Sequence, residues 1–147
     1  MWATDERVLL DAILDVLIPP GKAGRIPGAG ELGVADFIAT ADAYARDPMG
    51  AARAVIAAVG HGFLTLPTDQ RVAALKQIEA THPRVFATLV QVTYMGYYRR
   101  PDTRPLFGVA GHPVHPQGYV VARESDALMA DLTAPVRARG RVYRDAT

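Results

Sequence analysis

The chain has 147 residues, with 16 Lys+Arg against 15 Asp+Glu, a formal charge of +1, and no cysteine. Half of it is hydrophobic and 21% is charged, which excludes a highly charged disordered tail; the absent cysteine excludes a disulfide scaffold, an iron–sulfur ligand set and a cysteine nucleophile. A chain of this length suits one domain and buries roughly 68–70% of its unfolded surface, enough for a core without metal or disulfide staples.

The first 98 residues read as helices punctuated by proline and glycine. Thr4 is the expected N-cap of the first, with Asp5 and Glu6 in its first turn where they complement the helix dipole. Val8, Leu9, Ala12, Ile13 and Val16 form an apolar stripe, widened by Leu10, Leu14 and Leu17, and Arg7, Asp11 and Asp15 leave only a narrow, solvated polar edge. Pro19-Pro20 ends the helix. A loop follows, and a second helix is predicted from about Glu31 to Ala45 on the stripe Val34, Phe37, Ile38, Ala41 and Ala45. Asp47 and Pro48 start a third helix as N-cap and first helical residue, with Ala52, Val55, Ile56 and Val59 facing inward. Gly60-His61-Gly62 should end it, with His61 placed to interact with the helix C-terminus.

Phe63 to Pro67 reads as a short apolar connector. A fourth helix, capped at or near Thr68, carries Val72, Leu75 and Ile78; His82-Pro83 then opens a fifth, running to about Tyr98 with Val85, Phe86, Leu89 and Val90 inward. Residues 99–123 hold Pro101, Pro105, Gly108, Gly111, Pro113, Pro116 and Gly118, so a regular helix is not expected there, though Val120-Val121 suits a short strand. A last short helix is predicted from Glu124 to about Leu132, ahead of a basic tail, Arg137 to Arg144. The expected fold is therefore all-α: a bundle of about five helices, then an irregular Pro/Gly-rich C-terminal arm with a short terminal helix. Residues 1–147 are read as a single domain, with 1–98 the helical core and 99–147 a wrapping arm and basic tail, because so aperiodic an appendix could not fold alone. The apolar stretches are too interrupted to span a membrane. Met1 to Arg7 carries no basic leader region, and twin arginines appear only at Arg99-Arg100, so a cytoplasmic chain is expected.

Few constellations carry chemistry. His112 and His115 are three apart, with Asp102 as a third group only through the fold; the flanking Pro113 and Pro116 favour a surface turn over a metal-binding helix. Ser125 is the only serine and lacks a nucleophile-elbow sequence around it. Asp11 and Asp15 share a helix face that could suit acid–base work, but Arg7 at four residues from Asp11 fits an ordinary polar edge. Gly28, Gly30 and Gly33 spell G-x-G-x-x-G, yet they follow a proline-rich loop and not a strand, so a helix-leading loop is the expected role. The densest unusual region is Tyr94, Tyr97, Tyr98, Arg99 and Arg100, continued by Arg104, Phe107 and Tyr119. Tyrosine and arginine are enriched at protein–protein hot spots. The same residues could equally anchor the irregular segment onto the fifth helix, and both readings stand at this level. The charge of +1 makes nucleic acid the weaker partner.

Several segments taken in order resemble one family. They are Leu17-Ile18-Pro19-Pro20, Gly33-Val34-Ala35-Asp36-Phe37-Ile38, Phe63-Leu64 with Leu66, then Gln70-Arg71 and Leu75, Thr93-Tyr94 with Gly96-Tyr97-Tyr98, and Leu106-Phe107-Gly108. Across roughly residues 5–120 the chain is similar to the gluconate 2-dehydrogenase subunit 3 family, the small gamma-type partner of flavin-dependent glucose–methanol–choline oxidoreductases. The resemblance implies a non-catalytic accessory subunit with no cofactor of its own. It implies that FAD resides in a partner that oxidises a sugar or sugar acid, and that this chain binds and stabilises that partner. Exported members use a twin-arginine leader, which does not precede the first helix here. The competing readings are a small metal-assisted or acid–base enzyme using His112, His115 and Asp102, and a binding module using the arginine tail.

Overall fold

A computed structural model of the chain describes residues 1–21, 26–109 and 124–140. The chain divides into two compact units, Met1–Val114 and His115–Thr147. Among the described residues the structure is helical, with α1 (Thr4–Leu17), α2 (Val34–Ile38), α3 (Pro48–Val59), α4 (Thr68–Thr81), α5 (Pro83–Tyr98) and α6 (Asp126–Arg139). No helix among them is long and apolar enough to cross a membrane. The expected strand at Val120-Val121 lies outside the described residues.

In the first unit α5 packs against α2, α3 and α4, and α1 closes the bundle against α2 and α3. The core forms from Leu9, Leu10, Ile13 and Leu14 of α1, Val34 and Ile38 of α2, Val55 of α3, Leu75 and Ile78 of α4, and Phe86, Leu89 and Val92 of α5. Val8 departs from its predicted role and is exposed. At about 100° per residue it stands roughly opposite Leu10, Ile13 and Leu14, which set the buried face. The cap of α1 is Ala3 and not Thr4: the Glu6 carboxylate accepts from the Ala3 N–H at 3.0 Å. The Trp2 indole donates to the Ala35 carbonyl at 2.8 Å, holding the entry to α1 against α2.

The polar edge of α1 is not simply solvated. Arg7 donates to Asp11 at 2.9 Å and also pairs with Asp36. Asp15 Oδ1 accepts from the Gly30 N–H at 2.7 Å and from the Glu31 N–H at 3.3 Å. The G-x-G-x-x-G segment is thereby laid along α1. A side chain at Gly30 would collide with the Asp11 backbone carbonyl, so this glycine serves close packing of a loop on a helix.

The second helix is much shorter than the predicted 31–45. Gly33, at φ 68°, lies outside the helical region, so α2 begins only at Val34. After Ile38 the Thr40 hydroxyl donates to the Phe37 carbonyl at 3.1 Å and the chain turns with i→i+3 bonds. The stripe survives the break, with Val34, Ile38 and Ala41 buried. The third helix starts as its sequence predicts: Asp47 accepts from the Gly50 N–H at 2.9 Å, and Pro48 is the first helical residue. The apolar connector is a single 3₁₀ turn, His61–Thr65, that buries Phe63. Arg71 spans its end, donating to the Leu66 and Leu64 carbonyls at 2.9 and 2.6 Å.

In the second unit α6 runs to Arg139, beyond the predicted end near Leu132, and takes in part of the expected basic tail. Ser125 caps it by accepting from the Leu128 N–H at 3.2 Å.

Candidate functional site

The aromatic and arginine-rich segment occupies the end of α5 and the turn beyond it. Its tyrosines diverge because adjacent helical residues point about 100° apart. Tyr97 follows Phe86, Leu89 and Thr93 on the inward stripe and is fully buried. Its hydroxyl donates to the Pro27 carbonyl at 2.7 Å, and burial raises its pKa. The structure therefore places Tyr97 in the core and not on the exposed surface expected of a partner contact. Tyr94 and Tyr98, four residues apart, share the outward face at 45% and 41% exposure with ring centroids 5.8 Å apart.

The chain after α5 is folded back onto it by two anchors. Buried Thr103 donates its hydroxyl to the Tyr97 carbonyl at 2.8 Å. Arg100 donates to the Leu32 carbonyl at 3.1 Å and grips Asp102 through two bonds at 2.8 and 2.6 Å. This pairing holds the Asp102 carboxyl below its ordinary pKa. Asp102 is thus engaged as the partner of Arg100; His112 and His115, the other members of the metal reading, lie outside the described residues. The 3₁₀ turn Arg104–Phe107 follows. It brings Phe107 edge-on to Tyr98 with centroids 5.3 Å apart, and Phe107 remains 44% exposed. Arg104 is half-buried on this turn. Tyr119 lies outside the described residues.

Arg99 points the other way, its guanidinium 4.8 Å from the Phe37 ring centroid and 5.9 Å from that of Tyr44. A shallow apolar depression of about 370 Å³ is lined by Phe37, Tyr44, Met95, Tyr98 and Arg99. A second cleft of about 510 Å³ adjoins it between residues 32–37 and 96–102. The helices come this close because Gly96 faces α2. A Cβ there would sit 2.7 Å from Phe37 Cδ1 and 2.8 Å from Val34 Cγ1. The result is a patch in which Tyr44, Tyr94, Tyr98 and Phe107 are exposed, with the Arg99 cation seated over Tyr44 and the half-buried Phe37. Such a surface can seat apolar and aromatic side chains of another protein. Tyr44 and Leu106 belong to the exposed set but were not singled out as partner residues in the sequence. Tyr44 lies beyond the end of α2, where the turns after Ile38 bring its ring to 5.8 Å from that of Phe37.

Residues 4–103 match the family described as gluconate 2-dehydrogenase subunit 3. The chain belongs to that family. The match spans α1 to α5 and ends at the buried Thr103 anchor, so it covers the described helical bundle. Tyr94, Tyr97, Tyr98, Arg99 and Arg100 fall inside it; Arg104, Phe107 and the Leu106-Phe107-Gly108 segment lie beyond it. No curated protein and no solved structure matches the chain. The family is named for a subunit of a dehydrogenase, consistent with an accessory role.

Proposed function

We propose that this chain is a non-catalytic accessory subunit that binds and stabilises the catalytic subunit of a flavin-dependent sugar or sugar-acid dehydrogenase of the glucose–methanol–choline type. The FAD belongs to that partner and none to this chain. Membership of the family over residues 4–103 supports the reading. The observation that carries it to a surface is the run of exposed rings Tyr94, Tyr98 and Phe107 beside Arg99, all set on a buried framework. Aromatic rings of this kind supply large contact area at low entropic cost, and arginine beside them is enriched at interface hot spots.

The test is retrieval of the tagged full-length chain from its native host. The expected result is a co-purifying flavoprotein with flavin absorbance, lost when Tyr94→Ala, Tyr98→Ala and Phe107→Ala are combined while the circular dichroism of the chain is retained. Recovery of the wild-type chain alone sinks the proposal. Retention of the flavoprotein by the folded triple variant removes this surface from it.

A further inference from the structure

We infer that the partner docks through an extended acidic segment laid along α5, seating one large apolar side chain beside Met95 and carboxylates at Arg46 and Arg84. This rests on the accessory reading above and adds the chemistry that the partner brings. The α5 residues Arg84, Thr88, Gln91, Met95 and Arg99 recur at three- and four-residue intervals and share one face. The chain between Phe37 and Ala51 forms the opposite wall. At one end lies the apolar depression of Phe37, Tyr44, Met95, Tyr98 and Arg99. At the other, a depression of about 400 Å³ is lined by Arg46 and Asp47 from one wall and by Arg84, Val85 and Thr88 from α5. Midway, the Gln91 amide donates to the Tyr44 carbonyl at 3.4 Å, so the same two walls border both. Arg84 and Met95 stand about three turns apart, roughly 17 Å along the helix, a distance that about five residues of extended chain cover.

The charges identify the occupant. Arg46 and Arg84 are exposed, and neither pairs with a carboxylate among the described residues. Arg99, at the apolar end, likewise has no carboxylate partner among them. Asp47, the one carboxylate on the basic lining, is committed to the Gly50 N–H at 2.9 Å. Neither Arg46 nor Arg84 serves its own helix. Arg46 precedes the cap of α3 and Arg84 stands in the first turn of α5, where a cation opposes the helix dipole. By contrast, α1, α4 and α6 carry Asp5, Asp69 and Asp126 in their first turns, and α3 and α5 carry no acidic residue there. Positions that break a local rule without local compensation are expected where a surface is kept for another task. Three cations along a seam with an apolar end are complementary to an extended segment of opposite charge that carries one apolar anchor.

The experiment starts from the flavoprotein recovered with the tagged full-length chain, whose affinity for chain variants is measured by biolayer interferometry at low and high salt. Arg46→Glu with Arg84→Glu should weaken binding about tenfold at low ionic strength and much less at high. Both substitutions put an acid where the helix dipole favours it, so the free chain keeps its fold and the loss reads the contact. Arg46→Lys with Arg84→Lys should keep binding. A carbodiimide, which joins amines to carboxylates, should then couple the introduced amines to a partner Asp or Glu close in sequence to a large apolar side chain. If the wild-type chain recovers no flavoprotein, the accessory reading fails and this inference with it. Equal binding by the chain carrying Arg46→Glu and Arg84→Glu overturns this inference alone. So does coupling to a carboxylate in a purely polar stretch. Flavoprotein retained by that charge-reversed chain while binding to a single-stranded DNA probe is lost would also overturn it, by assigning the arginines to nucleic acid.

Discussion

The Tyr97 hydroxyl donates to the Pro27 carbonyl oxygen at 2.7 Å and so ties the end of α5 to a loop 70 residues earlier in the chain. The next residue, Tyr98, turns its ring outward against Phe107. One residue step on the helix separates a structural tyrosine from a surface one. Tyr97→Phe removes the hydrogen bond and should cost about 1 kcal/mol. Tyr97→Ala empties a fully buried ring site and should cost about 3–5 kcal/mol. Tyr98→Ala should lower stability by no more than about 1 kcal/mol, since it loses only partly exposed ring contacts. Urea unfolding of the three variants gives the ranking. Equal losses at positions 97 and 98 would contradict the assignment of one to the core and the other to the surface.

Gly96 sets the distance between α5 and α2. Gly96→Ala should improve intrinsic helix propensity by up to about 1 kcal/mol. Overpacking against Phe37 and Val34 should outweigh that gain, for a net loss of about 1–2 kcal/mol. The Phe37 ring is the nearer obstacle and also supports Arg99, so Gly96→Ala should disturb the exposed patch as well. Thermal unfolding measures the first effect. If the variant is stabilised, the close approach of the two helices is wrong.

The stop of α1 and the starts of α3 and α5 were legible because their causes are local. Asp47-Pro48, His82-Pro83 and Pro19-Pro20 act through fixed φ angles and missing N–H groups, which need no tertiary partner. The short span of α2 was not legible, because its late start depends on Gly33 taking a positive φ and its early end accompanies the Thr40 hydroxyl capturing the Phe37 carbonyl. The sidedness of α1 was half legible: eight apolar residues fit too wide an arc to show that Val8 would face out. Asp15 read as a solvated carboxylate, since nothing local reveals that the 30–31 backbone amides come to it. At the candidate site the cluster was visible as composition. The separation of Tyr97 from Tyr94 and Tyr98 was present in the spacing Phe86, Leu89, Thr93, Tyr97, but the inward direction is fixed by the distant Pro27 carbonyl.

Two aspartates should shift acid stability in opposite directions. Burial raises the Asp11 pKa above 3.8, outweighing the lowering by Arg7. The folded chain therefore holds that proton more tightly than the unfolded chain, so ionised Asp11 opposes folding, and the penalty fades as pH falls through the raised value toward 3.8. Asp102 behaves oppositely: hydrogen bonds from Arg100 lower its pKa below 3.8, so its stabilisation is present above 3.8 and is lost as pH falls through the lowered value. The Asp102 side chain is 52% exposed, which keeps its effect small. Urea midpoints should show wild type gaining on Asp11→Asn as pH drops from neutral toward 3.8, and losing ground to Asp102→Asn below it. The same slope for both pairs would refute the contrast.

Asp47 combines two demands that different substitutions separate. Its carboxylate caps α3 by accepting from the Gly50 N–H, and its backbone sits at φ 48°, where aspartate, asparagine and glycine are tolerated far better than alanine. Asp47→Asn keeps both the acceptor and the backbone tolerance and should be close to neutral. Asp47→Gly loses the cap but relieves the backbone, so a few tenths of a kcal/mol is expected. Asp47→Ala loses the cap and strains the backbone together, and should cost about 2 kcal/mol. Chemical denaturation of the three variants should rank them in that order. A glycine variant as unstable as the alanine variant would mean that the cap alone, and not the left-handed backbone, selects aspartate at this position.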